Sequence, residues 1–139
     1  MKKVMVEEMS WYEFRDAMSS NDLIIVPIGS IEEHGPHSAL LFDTAIARET
    51  AKAIGERVEA PVVPVMPIGN ARSLMGFPGT VSIDSELIRE LMVQICEGFI
   101  KHGAKRIIFI NSHGGNSAAI KVVCDDLYAK YGVMCVQAE

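Results

Sequence analysis

The sequence predicts an α/β fold, a three-layer α/β/α arrangement around a mainly parallel sheet. Three observations carry this. Short apolar runs alternate with segments of helical periodicity. The runs at 22–29 and 105–111 have the length and apolar character of buried strands. No internal repeat, linker or low-complexity tract interrupts the alternation. The 139 residues suit a single domain over 1–139.

Each element has its own signal. Ser10 and Glu13 have capping-box spacing, which starts a short helix running to about Ser19. DLIIVPIG at 22–29 is a strand ended by glycine. Asp43 or Thr44 caps a helix to about Arg57. APVVPVMPIG at 60–69 reads as a second strand, with Pro64 marking an edge or a bulge. GFPGT at 76–80 is a turn. Asp84 caps a helix whose apolar stripe is Leu87, Ile88, Leu91, Met92, Ile95 and Phe99, and Gly103 ends it. KRIIFIN at 105–111 is a strand, HGGN a tight loop, 117–131 a helix closed by Gly132, and VMCVQA at 133–138 a last strand.

Composition narrows the function classes. Hydrophobic residues make up 49% of the chain, enough for a packed core. The net charge is −5 and the basic residues are dispersed, which excludes a nucleic-acid face. No apolar run approaches the ~20 residues of a membrane span, and the N-terminal segment does not read as a signal peptide. Cys96, Cys124 and Cys135 are far apart in sequence and read as buried thiols of a reducing cytoplasm. Met66, Met75, Met92 and Met134 read as core filler. Glycine-rich nucleotide loops are absent.

The segment GSIEEHGPHSALLFDTAIA, 29–47, concentrates chemistry. Glu32, Glu33, His34 and His37 share one irregular loop, and Asp43 follows. In open α/β sheets ligands gather beyond the carboxyl ends of the strands. With parallel strands, Glu32 and His34 past the first, His113 past KRIIFIN, and Asp43 at a helix start converge on one rim. Two imidazoles and carboxylates without a nearby thiol suit Zn, Mn or Fe. Asp43 is equally explained as a cap, and Asn111 and Asn116 as turn residues around Gly114 and Gly115. Glu33 reads as a solvent-facing carboxylate, His102 as a helix-end histidine, and His37 as a substrate contact or a support for the ligands.

Four segments resemble the creatininase (creatinine amidohydrolase) family. PIGSIEEHGPH is similar to its P-x-G-S-x-E-Q-H-G-P-H signature, Asp43-Thr44 to the Asp-Thr that follows, GFPGTVSI to its F-P-G-T segment, and INSHGGN to its N-x-H-G-G-N loop. They span Pro27 to Asn116 in the family's order. The resemblance implies a three-layer α/β/α hydrolase with a centre of one or two divalent ions. In it Glu32 and His34 bind different ions, Asp43 bridges them and His113 is a further ligand. His37, Asn111, Gly114, Gly115 and Asn116 would contact substrate or support the ligands. Metal-bound hydroxide would attack an amide C–N bond in a small-molecule substrate, a formamide or cyclic amide, or in a peptide. No catalytic proton donor is assigned. Homo-oligomers, often hexamers, are implied as well.

The sequence departs from the family in three ways. Glu33 stands where Gln is usual. Leu74, three residues before Phe77, stands where many members have His. Family chains are nearly twice as long, and their second half carries an H-A-G-x-x-E-T segment with a further ligand and a proton-handling histidine. The expectation is therefore an N-terminal portion of a longer protein, or a site completed by a second chain. The alternative is a catalytically incomplete metal-binding or assembly module. Gly115 stands where true creatininases carry Glu, so creatinine is not the expected substrate.

Overall fold

The structure, a computed structural model, describes residues 3–139. Four α-helices are present among these: α1 (Trp11–Ser20), α2 (Phe42–Val58), α3 (Ser85–Lys101) and α4 (Ser117–Tyr131). Three strands, β1 (Leu23–Ile28), β2 (Arg106–Asn111) and β3 (Met134–Ala138), form a parallel sheet in the order β1-β2-β3.

The period-two pattern of the strands divides the core into two layers. Leu23 and Ile25 of β1 and Ile110 of β2 pack with Ala51 of α2 on one face. Ile24, Val26 and Ile28 of β1, with Ile107 and Phe109 of β2, face α3 and α4 on the other. There they meet Ile88, Met92 and Cys96 of α3 and Ile120, Val123 and Leu127 of α4. All six β1 residues are buried, as a strand covered on both faces requires. Each fully buried Ile or Phe removes enough apolar surface from water to contribute about 1.5–3 kcal/mol. The result is the expected three-layer α/β/α order. α1 joins the α3 side through Met18 and the Phe14–Phe99 ring contact, with centroids 5.7 Å apart.

Several local expectations need correction. Residues 60–69 form no continuous strand. The segment touches β1 through two isolated parallel bridges, Ile25 to Val62 and Ile28 to Met66. Four positions on one side therefore span three on the other. The extra residue lies in a stretch holding Pro64, which has no N–H to donate. Asp43 does not cap α2: Leu41 does, without a side-chain bond, and Asp43 sits in the first turn. Asp84 occupies the N-cap of α3, but its carboxylate pairs with Arg72 at 3.1 Å instead of capping. Leu87, at the start of the apolar stripe, is 51% exposed. Met75 and Met134 are also exposed, so only Met92 of the four methionines is fully buried. Cys96 is buried, whereas Cys124 and Cys135 are half-buried. The capping box of α1 forms as read, with Ser10 and Glu13 exchanging both bonds.

Register sets the rim. Ile28 pairs with Asn111, so β1 and β2 end side by side. The loop carrying Glu32 and His34 and the loop carrying His113 leave from adjacent strand ends. No helix among the described residues is long and apolar enough to cross a membrane.

Candidate metal centre

The close approach of α2 to the end of β1 brings Asp43 to the rim. Gly29 allows it: a Cβ there would lie 2.5 Å from the Thr44 Cα and backbone nitrogen. The Thr44 hydroxyl then donates to the Ser30 carbonyl at 2.8 Å, fixing the first turn against the loop. The Ser30 hydroxyl donates to Asp43 Oδ2 at 2.9 Å. Beyond Ser30 the chain turns, the Glu32 amide donates to the Leu40 carbonyl at 3.0 Å, and the Glu32 carboxylate is buried.

Four of the candidate residues come together. His113 Nδ1 lies 3.0 Å from Glu32 Oε2 and 3.2 Å from Asp43 Oδ2. His34 Nε2 lies 3.0 Å from the other Asp43 oxygen, Oδ1, and 4.0 Å from Glu32 Oε1. Asp43 thus stands between the two histidines, one oxygen toward each. One atom from each of Glu32, Asp43 and His113 falls within 4.8 Å of the others, a spacing that could hold an ion.

The outer nitrogens decide how the rings are protonated. His113 Nε2 donates to the Asn70 main-chain oxygen at 2.8 Å, and His34 Nδ1 to that of Glu32 at 3.2 Å. A carbonyl only accepts, so each outer nitrogen carries a proton. In the neutral rings the inner nitrogens are then bare, and they face carboxylate oxygens that also only accept. Glu32 Oε2 is buried without a hydrogen-bond partner. Among the described residues no Lys or Arg pairs with Glu32 or Asp43; the two histidines are their only ionisable partners. Two buried carboxylates facing two lone pairs are stabilised by a positive charge between them, a proton on a ring nitrogen or a metal ion. This donor set fits a divalent ion, and histidine ligands commonly hold their second nitrogen against a carbonyl in this way. Burial works against charging His34, but the Glu32 carbonyl and the Asp43 and Glu32 carboxylates outweigh it and raise its pKa above the usual 6.5.

The remaining candidates divide. Asn111 and Asn116 are buried and hold the frame. Asn116 Oδ1 accepts from the Asn70 amide at 2.9 Å, and its Nδ2 donates to the Gly29 carbonyl at 3.0 Å. Asn111 Oδ1 accepts from the His113 amide at 3.2 Å. Gly115 is needed where it stands, because a Cβ would lie 2.1 Å from the Asn70 oxygen and 2.5 Å from His113 Nε2. Gly114 is exposed beside it, with open space around its Cα. His37 is exposed and lies outside the cluster. Glu33 turns its carboxylate back to the Gly35 amide at 2.9 Å. Sequence reasoning missed Asn70 and Ser30. The Ser30 hydroxyl could have been suspected from its place in the G-S-x-E stretch. Asn70 acts through its main chain, which no residue type announces.

The profile of the creatininase family, described as creatinine amidohydrolase, matches residues 7–139. The chain belongs to the creatininase family. It is 30% identical over 125 residues to the creatinine amidohydrolase of Pseudomonas putida, covering 86% of this chain and 48% of that one. It is 38% identical over 112 residues to the mycofactocin precursor peptide peptidase of Mycolicibacterium smegmatis, covering 76% and 45%. A solved structure described as "Creatininase Mn" superposes with a TM-score of 0.88 at 27% identity, covering 99% of this chain and 58% of that one. The chain therefore spans about half the length of the curated relatives it matches. The creatininase fold agrees with the three-layer order described above.

Proposed function

We propose that this chain carries the metal-binding rim of a metal-dependent amidohydrolase. The observation that supports this most is the pairing at both histidines, where the outer nitrogen meets a carbonyl and the inner nitrogen meets a carboxylate. Glu32, Asp43 and His113 would hold one divalent ion. His34 and the second Asp43 oxygen offer donors for another, with Asp43 as the bridge. A divalent ion such as Zn, Mn or Fe supplies a lowered water pKa, about 7 in favourable sites, and polarises the amide carbonyl.

The protein's own residues do the positioning. Ser30 and the two histidines orient the Asp43 carboxylate. Asn70 and Glu32 fix the histidine tautomers through their carbonyls. The substrate class is an amide C–N bond; the relatives named above include one acting on creatinine and one on a precursor peptide. A proton for the leaving nitrogen is required, and no residue is assigned to it. The exposed edge of β3, with Met134 64% and Val136 49% exposed, supports further association, a second copy or a chain that completes the site.

The test is amide hydrolysis by the purified chain loaded with manganese or zinc, using formamide, cyclic amide and peptide substrates. Turnover that is lost on chelation and in His34→Ala supports the full reading. Tight metal binding without turnover supports the second reading, a metal-binding or assembly module. Absence of both metal and turnover contradicts the two together.

A further inference from the structure

The three cysteines, far apart in the sequence, converge where α3, α4 and β3 meet. Cys96 is fully buried on α3, and burial, with Cys124 and Glu97 adding to it, pushes its thiol up to about 12. Cys124 on α4 and Cys135 on β3 are half-buried, and each is the largest influence on the other's thiol. β3 alternates: Met134 and Val136 point to solvent, so Cys135 between them points toward α4. Both thiols line an open groove of about 650 Å³ whose walls include Lys121, Asp125 and Gln137. A small oxidant in solution can therefore reach them.

We propose that Cys124 and Cys135 are a site of reversible oxidation, closing a disulfide between α4 and β3 when the protein meets a peroxide. The two thiols are not equivalent. The neighbouring Cys135 side chain holds the Cys124 thiol below its ordinary value, while Cys124, together with burial, raises Cys135. Cys124 is thus the sulfur that ionises and attacks. Its thiolate takes one oxygen of the peroxide, the O–O bond breaks, and Cys124 becomes a sulfenic acid as hydroxide leaves. The Cys135 thiol gives its proton to that hydroxide, forming water. Its sulfur, now a thiolate, attacks the Cys124 sulfur: the S–S bond forms as the S–O bond breaks, and the departing hydroxide takes up the proton that Cys124 released on ionising, giving the second water. In total two thiols and one hydrogen peroxide give one disulfide and two waters. Oxidation removes the anion that held Cys135 protonated, so the second step follows the first. The bridge would tie β3 to the helix that begins just after His113.

The experiment is peptide mapping of the full chain under non-reducing conditions, before and after hydrogen peroxide. The expected result is a single cross-linked peptide joining Cys124 to Cys135, an intact mass lower by two hydrogens, and reversal by dithiothreitol. Cys124→Ser and Cys135→Ser should each abolish the mass loss, and Cys96→Ser should keep it. Three results overturn the proposal: Cys124 and Cys135 on separate peptides after oxidation, a bridge through Cys96, or cross-links only between chains. The wild-type map decides alone should a variant fail to fold.

Discussion

The Nε2 nitrogen of His113 lies 2.8 Å from the main-chain oxygen of Asn70. This contact turns the ring so that Nδ1 faces Glu32 and Asp43 and lacks a proton when neutral. It links the rim's chemistry to the backbone of a loop more than forty residues earlier, and it leaves no room for a side chain at position 115.

Gly115→Ala should therefore weaken divalent-metal binding while leaving the fold intact. The added methyl collides with the Asn70 oxygen and the His113 ring, and one of them must move. Losses of supporting contacts of this kind cost roughly 10–100-fold in metal affinity. Isothermal titration with manganese checks it, and an affinity within twofold of wild type would show that the Asn70 contact does not orient the ring.

Asn116→Ala should destabilise the protein by about 2–4 kcal/mol, because it strands the part-buried Asn70 amide and the buried Gly29 carbonyl. Urea denaturation reads the change. A loss below about 0.5 kcal/mol would mean that water replaces both bonds.

The sequence made the α/β order and the rim legible for separate reasons. The strands at 22–29 and 105–111 were readable because β1 is buried on both faces, β2 is buried over most of its length, and their apolar runs are continuous. The convergence of Glu32, His34, Asp43 and His113 followed from parallel strand ends, a topological rule that needs no distances. Residues 60–69 misled because apolar composition suggests a strand, while the ladder depends on N–H groups that the prolines lack. Asp43 in the first turn of a helix has the look of a cap, and only the approach across Gly29 turns it toward the histidines. Leu87 matched the helical stripe but lies at its exposed end. Asn70 was invisible because its carbonyl is common to every residue type.

Acid should weaken α1 through Glu13. The Lys3 ammonium and the Ser10 amide and hydroxyl hold its carboxyl at about 2, below the ordinary 4.5. A folded-state value below the unfolded one gives a contribution present in full above pH 4.5 and lost as pH falls through about 2. Thermal melts of wild type and Glu13→Gln should therefore converge between pH 5 and pH 2. A gap in Tm that stays constant over this range would remove Glu13 as the cause.

Met92→Ala should cost about 2–5 kcal/mol, since Met92 is fully buried between α3 and the sheet. Chemical denaturation measures it. A cost under about 1 kcal/mol would show that the α3 layer repacks around the gap.

The central claim is that the rim of Glu32, His34, Asp43 and His113 holds a divalent ion. Equilibrium dialysis with elemental analysis on the 139-residue chain tests it most directly, set beside the Glu32→Ala, His113→Ala double variant. At least one tightly held manganese or zinc ion per wild-type chain is expected, and none above background in the variant. Equal metal content in the two proteins would contradict it.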